Sequence, residues 1–215
     1  MMTVGYTQTA APRKWYEIWW DVWSKPGDAS YQALLSEPDH STRRSFIWIA
    51  VVSLIVAIMT GVTSTQTLES FEPGIRNNLI YFICTLFLSP IFGIIGLVFS
   101  SGIYHLIAKL LGGSGTWSDL VICQAAVFAP SELLGGLIAF FTILIFNIPG
   151  LFFLPGIISF VIGVYAILLM ILALKTAEKF GIGKAILTYF IPVIIIGLLA
   201  LCGILALLPA FTTRG

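Results

Sequence analysis

The sequence predicts an all-α polytopic membrane protein, with five transmembrane helices preceded by an N-terminal amphipathic interfacial helix. Three observations predict it. Of 215 residues, 58% are hydrophobic and 10% charged, whereas a soluble domain carries roughly 25% charge. The mean hydropathy is +1.00. Long apolar runs recur along the chain, each near the roughly 20 residues that a helix needs to cross hydrocarbon. Water-soluble enzymes, nucleic-acid binders and disordered linkers are thereby excluded. The net charge of +1 offers no field to a polyanionic partner.

Residues 1–44 form the long polar stretch and hold 10 of the 21 charged residues. Residues 1–12 lack the basic start and apolar core of a cleavable signal, so the first span is expected to act as its own insertion signal. Between positions 14 and 25, Trp15, Tyr16, Ile18, Trp19, Trp20, Val22 and Trp23 fill one arc of about 200° on a helical wheel. Lys14, Glu17, Asp21, Ser24 and Lys25 fill the rest, and Pro26-Gly27 ends the helix. Tryptophan suits the headgroup layer, so Trp15, Trp19, Trp20 and Trp23 are expected at the membrane interface. Packing of this helix on the protein's own helix ends is the alternative. Tyr31 to Ser36 is a second short amphipathic segment, stopped by Pro38.

A transmembrane domain occupies residues 45–210. The first span is expected from Phe46 to Val62, behind Arg43-Arg44, with a polar Thr/Ser-rich loop from Thr63 to Asn78. Leu79 to Leu111 exceeds one perpendicular span and contains Pro90; without a polar turn to divide it, it reads as one tilted, kinked helix. Gly112, Gly113 and Gly115 make a turn around Ser114. A helix then starts near Thr116, with Asp119 in its first turn, and runs through Pro130 to Phe146; its first two turns read as interfacial. Asn147-Ile148-Pro149-Gly150 is a tight turn, Phe153 to Leu174 the fourth span, Lys175 to Lys184 a basic loop, and Ala185 to Leu208 the fifth span. With the N-terminus cytoplasmic, nine basic residues lie inside and only Arg76 and Arg214 outside. That asymmetry predicts an exoplasmic C-terminus.

Glu132 is the ionisable residue expected inside a span, away from a helix end. A charged carboxylate there costs about 2.5–3.5 kcal/mol on insertion scales, so it reads either as a proton or cation site or as a hydrogen-bonded anchor between helices. Ser131, Gly135 and Ala139, at i, i+4 and i+8, form a small-residue stripe for helix packing, and Gly93, Gly96 and Ser100 form another. Pro90, Pro130 and Pro192 each free a carbonyl four residues back and are expected to kink their spans. Cys84, Cys123 and Cys202 are odd in number and far apart, which indicates packing residues rather than a disulfide framework or metal motif. No cofactor is expected. The string from Gly112 to Gly115 matches the G-x-S-G of rhomboid proteases, but those need a later histidine and none follows His105. Without H-E-x-x-H or a phosphate-cradling loop, catalysis is not expected.

The stretch His105 to Trp117, reading HLIAKLLGGSGTW, followed by Ala125 to Pro130, reading AAVFAP, resembles the Yip1 domain family. So do the opening Trp23-Ser24-Lys25-Pro26, the short helix between Tyr31 and Pro38, the basic loop from Lys175 to Lys184 and a last span with Pro192. The resemblance covers about Trp15 to Pro209. It implies five spans, a cytoplasmic N-terminus and an exoplasmic C-terminus. Eukaryotic members of that family act in vesicle traffic and bind lipidated Rab GTPases, marked by an Asp-Leu-Tyr-Gly-Pro motif that this chain lacks. The chain looks more like the prokaryotic members, which places it in a prokaryotic plasma membrane and does not support Rab binding. The expected role is membrane organisation, adaptor work or a trafficking-like function. A small transporter or channel subunit using Glu132 and an accessory subunit of a larger complex are the alternatives. The lipid bilayer is the expected partner, with a second copy or another membrane protein beside it and no nucleic acid.

Overall fold

A computed structural model describes residues 13–71, 78–145 and 153–212. The described residues are arranged as seven helices: α1 (Trp15–Ser24), α2 (Asp28–Leu35), α3 (Thr42–Phe71), α4 (Asn78–Leu110), α5 (Trp117–Ile145), α6 (Phe153–Glu178) and α7 (Ile182–Thr212). α3 to α7 are each long and apolar enough to cross a bilayer. The protein is a polytopic all-α membrane protein.

Local chemistry sets the helix ends. The backbone N–H of Lys14 donates to the Glu17 carboxylate at the start of α1 (3.1 Å). Ser41 caps α3 by accepting from the Arg44 N–H (3.3 Å), and Thr116 caps α5 by accepting from Asp119 (3.2 Å). α4 closes at Gly112 (φ +85°), where the Gly113 N–H returns to the Ala108 carbonyl (2.8 Å). α6 closes on Lys179, also left-handed (φ +56°), with the Phe180 N–H bonded to the Lys175 carbonyl.

Two boundaries differ from expectation. Residues expected as a loop from Thr63 continue α3 to Phe71, because an established helix extends residue by residue until a breaker stops it and Pro73 is the next proline. The basic loop also shrinks: Lys175 to Glu178 complete α6, and α7 begins at Ile182. The turn expected from Asn147 to Gly150 lies outside the described residues.

α5 is the centre of the bundle. α3 and α6 flank it, α4 lies against both α3 and α5, and α7 packs on α6 and α4. Leu120 to Val127 are buried without interruption, so this part of α5 is enclosed by protein. A helix buried on every face must be surrounded, and α1 and α2 complete the enclosure by packing across this end of α5. Away from this end the bundle turns apolar residues outward, among them Phe87, Phe92, Phe99 and Phe160. Lipid tails, as apolar as those side chains, remove any drive to bury them.

Candidate functional site

Chemistry-bearing residues collect at the end of the bundle crossed by α1 and α2, here called the foot. Ile18, Trp19 and Val22 of α1 are buried against the bundle, while Trp15 and Trp20 stay 51% and 71% exposed. Trp19 meets Trp48 edge-on at 5.8 Å, and Trp23 meets Tyr165 at 5.5 Å. The Tyr165 hydroxyl also donates to the Trp23 carbonyl. The four tryptophans expected at the interface are therefore divided: two face outward and two dock on the protein. An apolar arc of about 200° is wide enough to serve two surfaces at once. Trp15, Trp19, Trp48, Val51, Ile55 and Leu133 also line an apolar slot of about 240 Å³ between α1, α3 and α5.

A charge network fastens the foot. Arg13 pairs with Asp21 (3.0 Å) and with the buried carboxylate of Glu37. Arg44 donates to the Arg13 carbonyl (2.7 Å) and lies over the Trp48 ring (5.2 Å). Burial would raise the Glu37 carboxyl, but the hydrogen bonds and charge of Arg13, with Arg44 behind it, hold it below its usual range. Tyr31 is the central peg of α2: it is fully buried and its hydroxyl donates to the Leu169 carbonyl of α6 (2.8 Å). Burial pushes this phenol well above its usual range, assisted by Cys123 and Tyr165.

The glycine turn forms a second knot. Ser114 N–H donates to the Glu178 carbonyl (2.9 Å), and Lys109 Nζ donates to the Gly115 carbonyl (2.7 Å). A β-carbon at Gly115 would collide with the Ala177 backbone carbonyl, and one at Gly113 would stand 2.9 Å from Glu178 Oε2. These two glycines thus let α6 end against the turn. Glu178 is completely buried, and its Oε1 is hydrogen-bonded to His105 Nδ1 at 2.5 Å. Its Oε2 has no protein partner among the described residues.

Glu132 sits half-buried in α5, where it accepts from the Ser53 hydroxyl of α3 (2.8 Å). With Ile49, Gly93, Leu97, Phe128 and Ser131 it lines a cavity of about 380 Å³. The Ser53 carbonyl accepts from Ser89 (3.2 Å), and further along the bundle Ser101 donates to the buried Gln124 (2.7 Å). Ser89, Gly93, Leu97, Ser101 and His105 recur every four residues, so one stripe of α4 carries most of these polar contacts.

The small-residue stripes are placed differently from expectation. Gly135 has open space where a β-carbon would stand and Ala139 is exposed, while Ser131 bonds back to the Val127 carbonyl (2.6 Å). The close approach falls at Gly136, whose β-carbon would lie 2.8 Å from Val56. On α4, Gly93 meets Ser53 and Ile49 while Gly96 faces open space. Spacing defines a face but not its azimuth, and α3 meets α5 one position round from the stripe. Pro90, Pro130 and Pro192 all lie within continuous helices. Cys123 is buried, and Cys84 and Cys202 are exposed.

Sequence reasoning missed Glu178, which it left in a basic loop and which the structure places, buried, at the last position of α6. The available signal was an acid among Lys175, Lys179 and Lys184 opposite a histidine at the end of the second span. Tyr31 was seen only as one apolar residue of its segment, because nothing local predicts its reach to Leu169.

No curated protein and no solved structure matches the chain. A family model described as the Yip1 domain matches residues 20–204, from α1 into α7.

Proposed function

The chain belongs to the Yip1 domain family, and from that premise we propose that it is a non-enzymatic membrane protein that organises or shapes the bilayer through its foot, in an adaptor or trafficking-like role. One observation carries this reading: α1 docks through Ile18, Trp19 and Val22 while presenting Trp15, Tyr16 and Trp20 to the surroundings. An aromatic set held on a rigid base inserts at headgroup depth without the ordering cost of a free peptide. The apolar slot beside Trp15 has room for part of an acyl chain. The excess of basic residues on one side supports a cytoplasmic foot and an exoplasmic C-terminus, and the likeness to prokaryotic members of the family supports a prokaryotic plasma membrane as its location.

The test is reconstitution of the full chain into vesicles of mixed anionic and zwitterionic lipid. Vesicle remodelling is followed by electron microscopy and the depth of the tryptophans by quenching with brominated lipids. Trp15→Ser with Trp20→Ser should abolish remodelling and reduce shallow quenching while the protein stays inserted. Remodelling equal to the unmodified chain would sink the proposal.

A second reading rests on the Glu132–Ser53 pair and its cavity: cation or proton movement through a small transporter or channel subunit. It requires flux in liposomes that disappears in Glu132→Gln. An accessory role in a larger complex would appear as a partner that co-purifies in mild detergent.

A further inference from the structure

Lys179 is the one non-glycine residue with positive φ among the described residues. It occupies the left-handed position that closes α6, where glycine is strongly favoured because a β-carbon crowds the neighbouring carbonyl. A glycine stands two residues on, at Gly181, yet the strained position carries a lysine. A backbone conformation held against its own preference directs attention to the side chain it carries.

The surroundings of Lys179 are partly polar. Asp28, Gln32 and Ser36 from α2 and Lys175, Thr176 and Lys179 from the end of α6 line an open cavity of about 550 Å³. Leu35 and Phe180 add an apolar wall. Lys175 is already neutralised by Asp28 (2.5 Å), whose other oxygen accepts from Thr176 (3.3 Å). No acidic side chain among the described residues lies within ion-pair distance of Lys179, so the cavity keeps a net positive charge. It opens at the end of α6, a helix long and apolar enough to cross a bilayer. Donors for phosphate oxygens beside an apolar wall for glycerol and upper acyl carbons match a phospholipid better than a free ion.

We propose that the cleft between α2 and the end of α6 binds the headgroup of an anionic phospholipid, with Lys179 as its principal cation. The site shares no residue with the aromatic set of α1 and stands whether or not that set shapes membranes.

The experiment uses the full chain in neutral detergent, with melting temperature and lipid retention by native mass spectrometry measured on adding phosphatidylglycerol, phosphatidylcholine or inorganic phosphate. Phosphatidylglycerol should be retained and raise the melting temperature, while the other two have little effect. Lys179→Gly should weaken phosphatidylglycerol binding about fivefold, the factor expected for one basic residue near an anionic surface. The same change should raise the melting temperature without lipid by about 2–4 °C, through relief of the backbone. Opposite signs separate loss of binding from loss of folding. Lys179→Arg should retain binding, and so should Trp15→Ser with Trp20→Ser. The proposal is overturned if Lys179→Gly binds phosphatidylglycerol like the unmodified chain, if phosphatidylcholine binds equally, or if inorganic phosphate reproduces the effect.

Discussion

Gly115→Ala places one methyl group where α6 ends. The new β-carbon meets the backbone carbonyl of Ala177, and backbone cannot rotate aside as a side chain does, so the turn or the helix end must move. Overpacking of this kind costs about 1–3 kcal/mol. Displacing the turn also strains the Ser114–Glu178 bond and the Lys109–Gly115 bond, each with a net contribution of about 1 kcal/mol or more. The total is about 3–5 kcal/mol, or a fall of ~6–20 °C in melting temperature for a chain of this length. Gly135→Ala is the matched control: the same methyl group enters open space, and alanine in a helix is favoured over glycine by roughly 0.5–1 kcal/mol. It should leave the melting temperature unchanged or slightly higher. Gly136→Ala, directed at Val56, should fall between the two because a side chain can yield. Melting followed by size-exclusion fluorescence in detergent ranks all three. Equal effects at Gly115 and Gly135, or a larger loss at Gly135, would refute the packing described for α5 and the turn.

Tyr31→Phe removes one buried hydroxyl and should cost about 1 kcal/mol, whereas Tyr31→Ala should cost about 3–5 kcal/mol by opening a cavity between α2 and α6; thermal melts distinguish them. His105→Ala leaves the buried Glu178 without its ring partner and should cost about 1–3 kcal/mol, while Glu178→Gln, which keeps a hydrogen bond, should lose less. Because Glu37 is held below its usual value of about 4.5 in the folded chain, its contribution is complete above pH 4.5 and is lost as the pH falls through the lower folded value. Tryptophan fluorescence should report release of α1 on acidification, and Glu37→Gln should remove that pH dependence. Glu132→Gln retains an acceptor for the Ser53 hydroxyl without a charge in the bilayer and should match or exceed the parent's stability, whereas Ser53→Ala should lose about 1 kcal/mol.

Composition and periodicity alone determined a five-span helical membrane protein, the position of each apolar run, the aromatic arc of α1 and the glycine turn. These follow from local physics: bilayer thickness sets how many apolar residues a span needs, and φ > 0 at Gly112 favours glycine. The stretches His105 to Trp117 and Ala125 to Pro130, with the opening Trp23 to Pro26, the Tyr31–Pro38 helix, the basic loop and Pro192, also carried the resemblance to the family the chain belongs to. The tertiary structure decided which side of each helix meets protein. Only there do Trp19 and Trp23 turn inward while Trp15 and Trp20 remain open, the close approach passes from Gly135 to Gly136, and Glu178 leaves an apparent basic loop to meet His105. The physical reason is that lipid and protein interior are equally apolar. A sequence scale therefore cannot tell a lipid-facing leucine from a core leucine, and the pairing of His105 with Glu178, more than 70 residues apart, is fixed by how α4 and α6 pack rather than by either segment.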